Sequence, residues 1–273
     1  MTRELIMEEL TARGYEVQSV EVVKNGVELQ GITIGTGNIR PTIYTKQFEN
    51  ADNVDWVADK IISTYEESQK HTPKFDAERL LNWDYVKTHL QLCIQRKGNE
   101  DIVKRDFLDL EQYVRVYVTE DGSFKVKPEH LEKFGIDADI LFNAAWDCTK
   151  PTLTSTDMLD ILAEMTGEDV EILKAETPRD MVQIVLSNES KVHGAVAMCD
   201  TWLLSSIADK YKSDLAILPS SIHECIVMPV DDNTNFRQLS EMVRDVNETQ
   251  VAPEEWLSDH AYRFVRDTME IIF

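Results

Sequence analysis

The sequence predicts an α+β protein with antiparallel or mixed sheets and helices packed on one face. Apolar residues recur at helical spacing in some segments and alternate with polar residues in others, so both helices and half-buried strands are expected. The strand-like runs of the last hundred residues are joined by connections too short for the crossovers of a parallel sheet. The 273 residues are 42% hydrophobic and 29% charged, a composition that allows a packed core.

Two helices are predicted near the N-terminus. The first spans residues 4–13 and places Leu5, Ile6 and Leu10 toward the core, before Gly14 ends it. The second spans residues 53–68, where apolar side chains follow helical spacing.

A β-hairpin is predicted between these helices. Residues 15–23 and 27–34 are rich in β-branched side chains and flank Asn25-Gly26, a pair that suits the positive φ angles of a type I′ turn. Gly31 interrupts the alternation of the second strand, which predicts a β-bulge there. Residues 41–46 are expected to add a third strand.

The middle of the chain alternates between strands and helices. Residues 90–94 and 114–118 have the period-two pattern of strands, and Asp121-Gly122 is expected to turn the second of them back. A helix over residues 137–148 is predicted to bury Ile140, together with apolar neighbours at helical spacing.

Residues 149–155, with one proline and four Ser or Thr residues, resemble a linker. They divide the chain into two expected subdomains, residues 1–150 and an acidic region, residues 151–273. After a helix at 156–165, the acidic region has a predicted β-β-α-β-β-α order. Its segments are residues 181–186, 192–198, 201–211, 215–218, 225–230 and 235–246, with a last strand near the C-terminus.

The charge of the chain restricts its partners. Its 28 basic residues against 50 acidic ones give a formal charge of −22, of which −8 falls in residues 1–150 and −14 in residues 151–273. Because binding to a phosphate backbone depends on clustered Lys and Arg, direct nucleic-acid binding is not expected. The same sign favours a basic protein partner, and it is also compatible with a DNA-mimicking inhibitor.

The sequence predicts a cytoplasmic location and no membrane association. No apolar run approaches the roughly 20 residues that span a bilayer. Glu4, Glu8 and Glu9 occupy the place where a signal peptide needs an apolar stretch. The four cysteines are scattered without a CxxC pair, as is typical of reduced intracellular thiols.

Sequence patterns for cofactors, metals and known catalytic machinery are missing. Gly31, Gly35 and Gly37 do not precede a helix carrying GK[ST], so they do not predict a phosphate-binding loop. His223-Glu224 lacks the second histidine of a HExxH zinc helix. We therefore predict no cofactor, no metal and no assigned catalytic residue.

One polar segment, residues 219–224, stands between two apolar runs and is the candidate binding site. Its candidate residues are Ser220, Ser221, His223 and Glu224. A hydroxyl, an imidazole and a carboxylate can act as a nucleophile, a base and an orienting acid. His223 and Glu224 could instead bind a metal with Asp231 or Asp232. The third alternative is structural, since Ser and His side chains in a turn can hydrogen-bond their own backbone.

Several strings in the chain resemble a bacterial family known as domain of unknown function 5688. They are VVKNGV at 22–27, RDFLDL at 105–110, DLAILPSSIHECIV at 214–227 and EMVRDVN at 241–247. More distantly, the order of strands and helices is similar to the uncharacterised YtpQ-like family of bacteria. Neither resemblance implies an activity, a cofactor or a catalytic residue.

These observations lead to three functional hypotheses. The preferred one is a non-enzymatic, cytoplasmic accessory or protein-interaction module with an acidic surface. The alternatives are a small-molecule-binding or hydrolytic enzyme that uses residues 219–224, and a DNA-mimicking inhibitor.

Overall fold

The computed structural model describes residues 1–36, 40–71, 77–118, 122–178 and 181–273, without the side chains of residues 70, 71, 77 and 78. The chain forms two compact units, Met1–Ala77 and Glu78–Phe273. The division predicted from sequence lies at residue 150 instead. Predictions that concern Gly37 and Asp121 fall outside the described residues.

In its described residues, the first unit contains two α-helices and one three-stranded antiparallel sheet. Its elements are α1 (Arg3–Ala12), β1 (Val17–Lys24), β2 (Val27–Ile34), β3 (Thr42–Tyr44) and α2 (Val54–His71). The two predicted helices and the third strand are confirmed. Ile6 and Leu10 are fully buried, but the prediction for Leu5 is wrong because its side chain is 52% exposed. Leu5 is one residue before Ile6, and the rotation of about 100° per residue carries it off the buried face.

The predicted hairpin turn is confirmed, and the predicted bulge is wrong. Asn25 and Gly26 both have positive φ, as a type I′ turn requires. The β1–β2 register runs without interruption through Val20 opposite Gly31. A Cβ atom on Gly31 would lie 2.9 Å from Thr42 Cγ2 and 3.2 Å from the Ile43 carbonyl oxygen. Glycine therefore allows β3 to approach closely.

The second unit contains two antiparallel sheets and seven α-helices in its described residues. Its strands are β4 (Leu90–Arg96), β5 (Lys104–Phe107), β6 (Leu110–Tyr117), β7 (Ser123–Lys125), β8 (Leu153–Asp157), β9 (Ile184–Asn188), β10 (Asp214–Leu218), β11 (Cys225–Val230), β12 (Tyr262–Val265) and β13 (Glu270–Ile272). Its helices are α3 (Trp83–Val86), α4 (Pro128–Phe134), α5 (Ala138–Thr149), α6 (Met158–Thr166), α7 (Val170–Glu176), α8 (Thr201–Tyr211) and α9 (Phe236–Gln250).

The strand order follows short local reversals. The six-stranded sheet has the order β13-β12-β10-β11-β9-β8, and the four-stranded sheet has β4-β6-β5 with β7 also paired to β6. Every described pair is antiparallel. The α+β class predicted from the sequence is confirmed.

Alternate residues of β10 face two different cores. Leu215 and Ile217 belong to the main core, which the four-stranded sheet, α5 and α8 also line. Ala216 and Leu218 belong to a smaller core that contains Leu239 and Val243 of α9. Since strand side chains alternate between faces, helices cover both faces of this sheet rather than the one face expected from sequence. Each large apolar side chain buried there stabilises the fold by about 1.5–3 kcal/mol.

Three local predictions are wrong. The proposed linker, residues 149–155, contains the start of β8, which pairs with β9 and belongs to the six-stranded sheet. The predicted strand at 192–198 is largely a 3-10 helix, Gly194–Cys199. Ile140 is exposed, while its neighbour Leu141 is fully buried. Tertiary packing decides these outcomes, and a short apolar run such as residues 192–198 is compatible with either a strand or a helix.

Several helices begin at side chains that accept hydrogen bonds from the first turn. Asp137 accepts from the Ile140 amide, Asp200 from the amides of Trp202 and Leu203, and Asn235 from those of Arg237 and Gln238. In the described parts of the chain, each helix is too short or too polar to cross a lipid bilayer.

Candidate functional site

The candidate segment, residues 219–224, connects β10 to β11 and is hydrogen-bonded through its backbone. The Ile222 amide donates to the Glu255 carbonyl (2.9 Å), and the carbonyls of Ser220 and Pro219 accept from the amides of Leu257 and Ser258 (3.2 and 3.0 Å). Ser221 forms an isolated antiparallel bridge with Trp256. The segment thus continues the β-pairing of the fold instead of forming an open loop.

The polar side chains of the segment have different environments. Ser221 Oγ accepts a hydrogen bond from the His223 amide at 3.0 Å, as in a serine turn. From β9, Ser187 Oγ donates to the His223 carbonyl at 2.9 Å. Ser220 is half-buried and Glu224 is exposed. Ser221, from the same segment, and Ser187, from β9, therefore fix the backbone of His223.

The His223 ring lies between two groups from distant parts of the chain. Its Nδ1 accepts from the His193 amide at 3.3 Å, and its Nε2 lies 3.4 Å from Glu255 Oε1. The rings of His193 and His223 stack with their centroids 5.5 Å apart and their planes inclined by 24°. The His223 side chain keeps 29% of its surface exposed.

This geometry does not activate a serine nucleophile. A neutral imidazole has one nitrogen that accepts and one that donates. Since the His193 amide donates to Nδ1, the proton of a neutral His223 ring is on Nε2, which faces the Glu255 carboxylate. No ring nitrogen is left to take a proton from Ser221, and the Ser221 hydroxyl is already an acceptor for the backbone.

The metal alternative also lacks the required geometry. His223 and Asp231 lie beyond opposite ends of β11, whose six residues alone span about 17 Å at a rise of about 3.3 Å per residue. His223 and Glu224 therefore cannot share an ion with Asp231 or Asp232. Among the described residues, no group of three or more His, Cys, Asp or Glu side chains could hold a metal ion.

The loop from Asn188 to Gly194 brings His193 to the site. The buried Asn188 side chain donates to the Val192 carbonyl and accepts from the Val192 amide, which turns the chain sharply. His193 has a positive φ of 56°. At Gly194, a Cβ atom would lie 2.6 Å from the Asn188 amide nitrogen and 2.8 Å from the His223 carbonyl oxygen. Glycine is thus required where the two chain segments meet.

Sequence reasoning missed both neighbours of His223. His193 was expected in a strand, and Glu255 was not considered, because the pairing of residues 220–222 with 255–257 is a tertiary contact.

Cys225 lies next to the site and is buried. Burial is the main cause that raises the pKa of its thiol well above the usual range, and the nearby Cys199 and Glu224 raise it further. Its thiol is therefore a poor nucleophile.

A second polar cluster lies where β12 meets the β5–β6 turn, and no sequence pattern indicates it. The Tyr262 hydroxyl donates its single proton to Asp109 Oδ1 at 2.7 Å, and its oxygen lies 3.1 Å from Ser258 Oγ. His260 lies between carboxylates, with Nδ1 2.9 Å from Asp259 Oδ1 and Nε2 3.7 Å from Asp109 Oδ2. Burial, and then the hydrogen bond to Asp109, raise the pKa of Tyr262 far above its usual range.

The second cluster joins the two sheets of the unit. Tyr262 is fully buried and Ser258 almost so, which leaves no room for a substrate at the serine. A buried tyrosine that donates to a carboxylate satisfies two polar groups at once. We assign this cluster a structural role.

A cavity of about 760 Å³ opens beside the start of β10 and the end of β11. Its polar lining includes Lys212, Asp214, Asp231 and Arg263, and the Arg263 guanidinium is 2.7 Å from Asp214. The mixed charges do not select an anion or a cation as a ligand.

The fold and the site define an α+β protein whose serine and histidine at residues 219–224 are held by hydrogen bonds within the chain. Residues 2–266 match the family described as a family of unknown function, DUF5688, and the chain belongs to that family. The resemblance stated from the sequence strings is thereby confirmed, while the YtpQ-like similarity stays a prediction. No curated protein and no solved structure matches the chain.

Proposed function

We propose that this chain is a non-enzymatic, cytoplasmic accessory protein that binds basic protein partners through its acidic surface. The observation that carries the proposal is the charge of residues 151–273, where 23 acidic residues stand against 9 basic ones. Most of these carboxylates are exposed, as on α9, where Glu241, Asp245 and Glu248 all face solvent. A surface of one sign attracts a partner of the opposite sign and speeds its association.

The environment of residues 219–224 supports an interaction module over a hydrolase. The one acceptor nitrogen of a neutral His223 ring is used by the His193 amide, so Ser221 has no base. The segment still presents a partly exposed imidazole and the exposed Glu224, which can contribute polar contacts to a partner. The four free cysteines agree with a reducing compartment.

The test measures association of the full chain with a panel of basic proteins at about 50 mM and about 500 mM salt, with acidic proteins of similar size as controls. We expect binding to basic proteins only, weakened at high salt because exposed charges are screened. A triple variant, Glu241→Gln, Asp245→Asn and Glu248→Gln, should weaken binding if α9 contributes. Salt-independent binding, or no binding to any basic protein at low salt, contradicts the proposal.

The two alternatives have separate readouts. Displacement of a bound basic protein by duplex DNA supports the DNA-mimicking inhibitor as the specific form of this function. A small-molecule ligand that binds only the folded chain raises its stability by about 2.7 kcal/mol at a hundredfold excess over Kd. A thermal shift of that kind, lost in His223→Ala, favours the small-molecule-binding or hydrolytic enzyme and contradicts the accessory role.

A further inference from the structure

The consecutive helices α6 and α7 form a helical hairpin. Neither helix buries any of its side chains, although both lie wholly within the described residues. The helices that build the cores behave differently, since α5 buries four residues and α8 and α9 bury three each. The two helices of this hairpin contact each other, and α6 also contacts β8, the edge strand of the six-stranded sheet. Their packing within the chain is therefore incomplete.

The hairpin exposes large apolar side chains from both helices. Leu162 is 42% exposed and Met165 is 78% exposed on α6, and Ile172 is 57% exposed on α7. Leu162 and Met165 are three residues apart, which places them on one face of their helix. We call Leu162, Met165 and Ile172 the hairpin surface. Grouped exposed apolar residues within a polar rim are typical of protein-interaction sites.

The rim of the hairpin surface is strongly acidic. Between residues 157 and 177 the chain has seven carboxylates and one lysine, a net charge of −6. The acids are Asp157, Asp160, Glu164, Glu168, Asp169, Glu171 and Glu176. Lys174, the only base, is 2.6 Å from Asp160, so its charge is already compensated.

Charge decides which occupant fits this surface. A second copy of the chain would place two regions of −6 against each other, within two molecules of −22 each. Nucleic acids and anionic membranes carry the same sign as the rim and are repelled by it. A protein segment with apolar side chains flanked by Lys and Arg matches both the apolar residues and the acidic rim.

We infer that the hairpin surface is the docking site for a basic amphipathic segment of a partner protein. This inference rests on the proposed function and adds to it a location and a partner chemistry. The apolar side chains provide the contact area that is removed from water, and the carboxylates orient the segment and exclude acidic competitors.

The probe is a labelled peptide of about 18 residues, made of Leu and Lys, with the leucines at helical i, i+3, i+4 and i+7 spacing. A control peptide has the same composition with its leucines distributed around the helix. We expect the full-length protein to bind the amphipathic peptide about tenfold more tightly than the control peptide, because only the former presents an apolar face.

Two variants test the location. Met165→Ser combined with Ile172→Ser should remove the preference for the amphipathic peptide. Met242→Ser, at a methionine that is 54% exposed on α9, is the matched control and should keep it. Because all three side chains are exposed, the variants should fold, which circular dichroism and the melting temperature verify.

The contrary outcomes are distinguishable. Equal, salt-sensitive binding of both peptides, unchanged in the double variant, overturns the docking site and leaves the proposed function standing. No binding of either peptide at low salt, together with no binding of any basic protein, overturns both. Flotation of the protein with lipid vesicles that is lost in the double variant assigns the hairpin surface to membranes, and it also overturns the inference.

Discussion

Gly194→Ala tests whether the loop beside His223 is as tightly packed as the structure indicates. A Cβ atom at this position would lie 2.6 Å from the Asn188 amide nitrogen and 2.8 Å from the His223 carbonyl oxygen. It would also collide with Ser187 Oγ, which donates to that same carbonyl. Two of the three opposing atoms are backbone atoms, so a side-chain rotation alone cannot relieve the contact.

The expected magnitude combines three contributions. Overpacking a buried site costs about 1–3 kcal/mol. Losing the hydrogen bond from Ser187 to the His223 carbonyl costs about 1 kcal/mol more. Alanine restricts the unfolded chain, which returns about 0.4–1 kcal/mol. The variant should therefore lose about 2 kcal/mol of unfolding free energy, and the melting temperature of the second unit should fall by about 4–8 °C.

The assay is urea unfolding followed by tryptophan fluorescence and circular dichroism, with Gly98→Ala as the matched control. A Cβ atom added to Gly98 would meet no heavy atom within 4 Å, and the φ angle of Gly98 is not positive. Its substitution should therefore change stability by less than about 0.5 kcal/mol. A Gly194→Ala protein as stable as the wild type would refute the packing argument. Equal losses in both variants would refute its attribution to this loop.

Three further predictions follow from burial. Leu141→Ala should cost about 2–5 kcal/mol in urea unfolding and Ile140→Ala less than about 1, and the reverse order would contradict the orientation of α5. Burial, and then a hydrogen bond to a carboxylate, raise the Tyr262 pKa above its ordinary value of 10.0, so the unfolded chain loses this proton first and the free energy of unfolding should fall as pH rises above 10. The Tyr262→Phe variant should flatten that fall by up to about 1.4 kcal/mol per pH unit. An unchanged slope would count against the burial of this hydroxyl. Burial raises the pKa of Cys93 to about 12 and that of Cys225 further. A thiol reagent at neutral pH should therefore label these two cysteines only when the chain unfolds. Rapid labelling of the native chain would show that their thiols are accessible.

The sequence predicted the elements whose signals are local. The Asn25-Gly26 turn was identifiable because two consecutive positive φ angles favour few residue pairs. The helix from Val54 was identifiable from its apolar spacing, and in the structure Asn53 accepts a hydrogen bond from the Trp56 amide. The last strand, Glu270–Ile272, was expected from its apolar residues.

Other predictions failed where a distant segment determines the local structure. Gly31 suggested a bulge, yet it is glycine because β3 passes closely against it. Residues 192–198 are apolar enough for a strand, but the Asn188 side chain and the close contact at Gly194 turn them into a loop and a 3-10 helix. The segment at 149–155 has the composition of a linker and still includes the start of an edge strand.

At the candidate site, too, the sequence predicted the local features, and the tertiary structure determined the contacts between distant residues. From the sequence, residues 219–224 were recognisable as polar groups between two buried strands, and a structural turn was one of the three alternatives. The tertiary structure placed the His193 amide and the Glu255 carboxylate at the His223 ring. Which ring nitrogen can accept a proton depends on those two neighbours, and neither of them is adjacent to His223 in the sequence.

By itself, the sequence determined the α+β class, the family and the acidic charge. Secondary-structure periodicity, family-specific strings and composition are all properties of the linear amino-acid sequence. Only the tertiary structure decided which polar groups meet at His223 and which apolar residues stay exposed on α6 and α7. Hydrogen bonds and burial depend on distances between residues far apart in the chain, and those distances exist only after the sheets have assembled.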